Sequence, residues 1–315
     1  MGGVKMGRRI IIVSLVIGLI LSIALVVYSL LDQREKIKPY TDDDITKLLT
    51  AIELRNTEGY REYLNDGRRL SFKFDDGYTP LEKLIHNNDF VSAEKIIETG
   101  FDLNLIEDNN PIETITQIMA YNNVPNFNEV NDITVLLIRQ IKNQIEKPDD
   151  YGYSLLMNAI ETNNEIMIKE ILIHIKKINK VYEGHTALTY AAKSGSDVGI
   201  IALLIEAGAD VDHQDTDGDT ALMNAIIMNV DSDVPAYLIN NTDLDPNIQN
   251  NDGDTALHYA VEVENLELVK LLLKEPGIDK NIANNDGLTA YQLAVQFENK
   301  YGREYLYDEI KNLLE

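Results

Sequence analysis

Apolar residues fall into two regimes along this chain. Ile10 to Leu31 is a run of 22 residues without a charge, and as a helix it would reach roughly 33 Å, enough to cross a bilayer core. After residue 40 the apolar positions come instead in short clusters of helical period, separated by polar turns. Ile45, Leu48, Leu49 and Ile52 form one stripe; Tyr60, Tyr63 and Leu64 form the next. From there a marker repeats: Gly184-His-Thr-Ala-Leu, Gly218-Asp-Thr-Ala-Leu, Gly253-Asp-Thr-Ala-Leu and Gly287-Leu-Thr-Ala-Tyr, with glycines 34, 35 and 34 residues apart. A period in this range predicts an array of helical repeats and not one closed core.

The period divides the chain. A basic leader (1–9), a transmembrane helix (10–31) and a linker (32–40) precede a solenoid over 41–315. Its units are 41–74, an N-terminal cap without the glycine marker, then 75–107, 108–149, 150–182, 183–216, 217–251, 252–285, and 286–315 as the C-terminal cap. Thr41, with Asp44 three residues on, is an N-cap candidate, and Pro80 suits the first turn of its helix. The unit 108–149 exceeds the period and is degenerate: a polar loop from Asn122 to Asn131 leads into an apolar second helix, Ile133 to Ile145. Asp-Gly tips are turn formers in which glycine takes positive φ; Thr220 and Thr255 stand at N-caps. Gly208 caps a helix C-terminus in the left-handed conformation.

Charge and chemistry narrow the function. The chain carries a net charge of −24, yet residues 1–39 hold six basic against two acidic residues, leaving −28 on the remainder. So acidic a body repels nucleic acid and anionic lipid; it reads as a well-hydrated, soluble surface, with a preference for basic partners as the alternative. Without cysteine, thiolate chemistry, disulfides and Cys-ligated metal are excluded. The five histidines, His86, His174, His185, His213 and His258, show no metal-ligand spacing, and no nucleophile elbow or phosphate loop occurs. Asp215-Thr-Asp-Gly-Asp resembles a calcium loop only faintly: from Asp215 its glycine falls at position 4 and Ile226 at 12, so it reads as a hairpin tip. No cofactor and no small-molecule substrate is expected. The apolar run is longer than a signal h-region, although Ser22-Ile23-Ala24 offers a cleavage site that would release a secreted protein. Lys5, Arg8 and Arg9 precede it and Arg34, Lys36 and Lys38 follow. Dominance of the first helix places the repeats on the non-cytoplasmic side.

The segments Gly195-Ser-Asp-Val-Gly-Ile-Ile-Ala-Leu-Leu-Ile-Glu-Ala-Gly-Ala-Asp-Val-Asp and Asp254-Thr-Ala-Leu-His-Tyr-Ala resemble the ankyrin repeat family. The resemblance covers 75–315 and extends to 41–74. It implies an all-α repeat fold, an ankyrin-type helix-turn-helix and β-hairpin solenoid, in which His258 ties hairpins together. It also implies protein recognition without catalysis, through hairpin tips and the first-helix face. Carried onto this chain, the partner-binding positions are Tyr182, Glu183, His185, Lys193 and Ser194; then Thr216, Asp217, Asp219, Ile227 and Met228; then Asn251, Asp252, Asp254, Glu262 and Val263. The expected role is a membrane-tethered, non-catalytic scaffold whose partner protein offers basic and apolar groups. An accessory or inhibitory subunit of an enzyme is the alternative.

Overall fold

The computed structural model describes residues 40–65, 70–102, 105, 115, 127–142, 144–228, 233–301 and 304–315. The expected leader, transmembrane helix and all but the last residue of the linker lie outside these. Among the described residues no helix is long and apolar enough to cross a membrane. The chain divides into two compact units, Met1–Leu105 and Ile106–Glu315.

Among its described residues the first unit holds four helices: α1 Asp42–Glu53, α2 Thr57–Asn65, α3 Pro80–His86 and α4 Phe90–Glu98. Thr41 and Pro80 start their helices as expected, and Thr79, which was not among the expected caps, joins them. Thr41 and Asp44 close a capping box on α1, and Thr79 and Glu82 close another on α3, whose first residue is Pro80. In each box two otherwise orphaned backbone donors are satisfied reciprocally. Helices α1 and α3 pack together, as do α2 and α4. Leu48, Ile52, Leu81, Leu84, Phe90 and Ile96 form the core between them. Tyr60 is buried among them, and its hydroxyl donates to the Asp89 carboxylate.

The second unit contains α5 Phe127–Ile141, then five helix pairs: α6 Leu155–Glu161 with α7 Glu165–His174, α8 Ala187–Lys193 with α9 Val198–Glu206, α10 Ala221–Met228 with α11 Asp233–Asn241, α12 Ala256–Glu262 with α13 Leu266–Leu272, and α14 Ala290–Tyr301 with α15 Glu304–Leu314. First helices pack in order, α6 to α8 to α10 to α12 to α14, and second helices in order from α5 to α15. Two layers result. The first helices stack closely because small residues line them: Ala191, Ala225, Ala260 and Ala294 are wholly buried. Larger side chains of the second helices, such as Ile201, Leu204, Val269 and Leu272, fill the space behind.

Two expectations need correction. The second helix of the degenerate unit starts at Phe127, inside the expected loop, and ends at Ile141, four residues short of Ile145. Asn131 reads as a loop residue by polarity, but it is a buried helical residue whose carboxamide oxygen accepts a hydrogen bond from Asn164 Nδ2 at 2.9 Å. Asn164 is itself the N-cap of α7, so a tertiary contact overrides the local signal. The β-hairpin arms are reduced, among the described residues, to isolated bridges at Pro148–Ser154, Tyr182–His185 and Ala283–Thr289. Each tip keeps a backbone bond across the turn, such as Asp215 N to Asp219 O and Asn250 N to Asp254 O at 2.9 Å, and side chains add to it. Asn250 Oδ1 accepts the Asp252 and Asp254 backbone N–H groups at 3.0 and 2.9 Å.

The helices of the last pair, 12 and 11 residues long, exceed the seven-residue helices of the preceding pair. Tyr307 is fully buried and donates to Glu264 Oε1 at 2.8 Å, while Asp308, Glu309 and Glu315 face water.

Candidate protein-binding edge

Four turns, those ending at Gly152, Gly218, Gly253 and Gly287, are built around an Asp or Asn three residues before the tip glycine, whereas Val181 and Phe74 hold that place before Gly184 and Gly77. In the unit with Gly218 this is Asp215, whose Oδ1 accepts the Asp217 and Asp219 N–H groups at 2.9 and 3.0 Å; its Oδ2 accepts from Asn224 Nδ2 at 3.0 Å. Asp149 repeats the arrangement with Tyr151, Tyr153 and Asn158. The carboxylates of Asp215, Asp217 and Asp219 do come together. Asp215 spends its lone pairs on the turn, and Asp219 accepts from Asn250 Nδ2 at 2.8 Å and from the Tyr259 hydroxyl at 3.2 Å. That is the chemistry of a hairpin hub.

Successive tips are then joined to one another. Asn251 N donates to the Asp217 carbonyl at 3.1 Å and Asn285 N to the Asp252 carbonyl at 2.9 Å. Asn251 and Asn285 side chains donate back to the Thr216 and Asn251 carbonyls, both at 2.9 Å. This approach leaves no room for a side chain. A Cβ on Gly218 would stand 2.6 Å from Asn251 N, and one on Gly253 would stand 2.7 Å from Asn285 N, with φ at +80° in both cases. His258, buried beneath the tips, accepts the Thr255 N–H at Nδ1 (3.2 Å), which leaves Nε2 to donate to the Leu288 carbonyl of the next repeat at 3.0 Å. The expected tie between hairpins is thus formed by the tautomer protonated at Nε2.

Of the fifteen expected partner-binding residues, the structure presents some and withdraws others. Glu183, Ser194, Thr216, Asp217, Ile227, Met228, Asn251, Asp252, Glu262 and Val263 are exposed. Asp219 is buried, and Asp254 is half-buried and accepts from Asn284 Nδ2 at 2.8 Å; both link repeats instead of facing a partner. Tyr182 turns its hydroxyl onto the Glu146 carbonyl at 2.6 Å. His185 is largely buried, with Nδ1 3.4 Å from Asp215 Oδ2. Lys193 reaches the next tip, 3.2 Å from Asp217 Oδ2. In the second unit two exposed residues that directly precede a tip glycine were missing from that set: Asp286, and Tyr151 at 76% exposure. Their place immediately before Gly287 and Gly152 is the signal that would have found them.

Electrostatics follow from this crowding of acid. Burial first, and then the Asp215 and Asp217 carboxylates, hold Asp219 above the usual carboxylate range. Partial desolvation, followed by Asp254, raises Glu262. Burial and the nearby Lys193 lower His185, against the pull of Asp215 and Asp217. Beside the acid lie apolar side chains in water: Ile227 is 44%, Met228 51% and Val263 38% exposed, all at the ends of first helices α10 and α12.

Comparison with known proteins agrees with this architecture. The family model described as ankyrin repeats in three copies matches residues 118–215, 197–284 and 236–313. An ankyrin repeat protein of Fowlpox virus (strain NVSL) is 41% identical over 90 residues, 29% of this chain and 14% of the relative. One from Acanthamoeba polyphaga mimivirus is 38% identical over 66 residues, 21% of this chain and 16% of its own. An ankyrin repeat-containing protein of Schizosaccharomyces pombe (strain 972 / ATCC 24843) is 35% identical over 124 residues, 38% of this chain and 53% of the relative. The chain therefore matches only part of the length of each. With family matches running from residue 118 to residue 313 and a two-layer stack of helix pairs joined through asparagine-linked tips, the chain belongs to the ankyrin repeat family.

Proposed function

We propose that the protein is a non-catalytic scaffold, tethered to a membrane through residues 10–31, which captures a partner protein along the hairpin tips and first-helix ends of its second unit. One observation carries the reading. The second unit exposes carboxylates at the tips, Asp217, Asp252 and Asp286, and apolar side chains at the first-helix ends, Ile227, Met228 and Val263, the mixture of apolar and charged groups that protein interfaces have. The partner supplies basic side chains for the tips and an apolar anchor for the helix ends. The tether rests on the 22-residue uncharged run, and the basic leader before it favours repeats on the non-cytoplasmic side.

Reversing the charge at Asp217, Asp252 and Asp286 tests the binding face without breaking the fold, because these carboxylates project into solvent. The buried Asp219 and the inter-repeat acceptor Asp254 are unsuitable targets, since a lysine there would break the hairpin network. Affinity capture with the full-length triple variant should lose the proteins recovered with the wild type by roughly tenfold or more. Unchanged recovery would remove the tips from the interface.

A further inference from the structure

The second unit carries its cations unevenly. Around the C-terminus of second helix α5, residues 139–147 hold Arg139, Lys142 and Lys147 with Glu146 as the one acid; around that of α7, residues 171–180 hold Lys176, Lys177 and Lys180 and no acid. Cations suit helix C-termini in general. Yet the next two second helices, α9 and α11, have no basic residue in the last turn, and Asp210, Asp212, Asp243 and Asp245 follow them. The lysines mark two successive repeats of a body that otherwise gathers acid.

Hydrogen bonds bring the two loops together. Helices α5 and α7 pack on one another, and Glu146 Oε1 accepts the Lys176 and Lys177 backbone N–H groups at 2.7 and 3.1 Å. The one acid of the two loops is thereby engaged by backbone. Lys142, Lys147, Lys176 and Lys177 are exposed, and among the described residues none of them forms an ion pair with a carboxylate. Lysines elsewhere in this acid-rich chain do: Lys169 with Glu165, Lys193 with Asp217, Lys270 with Glu267 and Lys311 with Glu298. In the last turn of α7, three residues before Lys176, Ile173 is 72% exposed.

We infer that these two helix ends form a membrane-docking patch, in which Lys142, Lys147, Lys176 and Lys177 meet the phosphates of anionic lipid headgroups and Ile173 enters the boundary between headgroups and acyl chains. Clustered lysines are drawn to an anionic leaflet, and an apolar side chain among them adds burial at that boundary. The uncharged run Ile10–Leu31 favours a bilayer over an acidic protein as the occupant, because an anchored body meets the surface at high effective concentration and weak contacts suffice. The inference rests on the tether proposed above and adds the face of the second unit that turns to the bilayer. Exposed charges separated by more than about 8 Å are largely screened at physiological ionic strength, so the local lysines govern this contact although the body as a whole is acidic.

The test uses the full-length chain, whose lack of cysteine makes Ile173→Cys a single labelling site. A nitroxide on that thiol is read by its accessibility to a water-soluble nickel complex, in vesicles of phosphatidylcholine alone and of an equal mixture of phosphatidylcholine and phosphatidylglycerol. With both leaflets anionic, the readout does not depend on topology. In the mixed vesicles the label should lose most of its access to the nickel complex, and raised salt should restore it. A label on Asp252→Cys, at an exposed acidic tip, should stay accessible in both lipids. K142Q/K147Q/K176Q/K177Q, which alters exposed side chains only, should abolish the shielding at position 173. Equal access at 173 in the two lipids, for chains that float with the vesicles, would overturn the patch and leave the tether standing. Shielding that survives the four lysine substitutions would overturn it as well, by assigning the contact to other groups. A chain that does not float with the vesicles has no tether, and the inference fails with it.

Discussion

Gly253 and Gly195 share a positive φ, +80° and +75°, but differ in surroundings: a Cβ on Gly253 would press on Asn285 N at 2.7 Å, whereas one on Gly195 meets nothing within 4 Å. Substituting alanine at either incurs left-handed strain, on the order of 1–3 kcal/mol. Only at Gly253 does the substitution also push apart two repeats. Hydrogen exchange at the Asn285 amide should therefore accelerate in Gly253→Ala and stay unchanged in Gly195→Ala; equal effects would show that close approach is unimportant. Asp219 supplies a second residue-scale expectation. Its folded pKa is raised, so the stability linked to its protonation is fully present below the unfolded carboxylate value, about 3.9, and is lost as pH rises through the raised value. Asp219→Asn retains an oxygen that can accept from Asn250 and Tyr259 but has no proton to lose. Its denaturation midpoint relative to wild type should rise between pH 4 and pH 7; a flat or falling difference would contradict the assigned burial. The sequence shows Asp219 as one more acid of a turn, because burial and the Tyr259 hydroxyl from the neighbouring repeat are invisible locally.

At the level of elements, what could be read was what the local chain determines. Thr41, Thr79 and Thr186 all serve as N-caps, each with its partner three residues on, and the Asp-Gly tips fall where the turn chemistry requires them. The start of α5 could not be read. Its Asn131 is polar, and only the partner Asn164, 33 residues away, explains why it is buried in a helix. The hairpin arms were over-read: each tip keeps a backbone bond across its turn, and beyond it the N–H groups of Asp219, Asp254 and Leu288 are accepted by the side chains of Asp215, Asn250 and Asn284. Asp215→Ala removes the acceptor for two backbone donors and the Asn224 amide. Unsatisfied buried donors cost about 1–3 kcal/mol, so this variant should lower the denaturation midpoint, whereas Asp215→Asn keeps the Oδ1 acceptor for the two backbone donors but sets an amide donor against Asn224 Nδ2, and so should recover only part of the loss. A midpoint for Asp215→Asn no higher than that of Asp215→Ala would show that the two backbone donors do not need this acceptor.

For the whole molecule, the period made the family legible, because each unit buries its apolar face only against its neighbours and so must repeat their pattern. Which of the expected partner-binding side chains reach solvent was not legible from their positions: Asp217 and Asp252 face water, while Asp219 and His185 turn inward. Membrane topology is checkable with the chain's own composition. Having no cysteine, the protein with the exposed Asp243→Cys carries a single thiol, and an impermeant maleimide should label it in intact cells if the repeats lie on the non-cytoplasmic side. Labelling only after permeabilisation would reverse the orientation. The most direct test of the binding edge is site-specific photocrosslinking in intact cells from two exposed apolar positions, Val263 at the end of a first helix and Ile166 in the layer of second helices. The proposed edge requires a discrete protein adduct from position 263 and none from 166. Adducts formed only from 166 would contradict it.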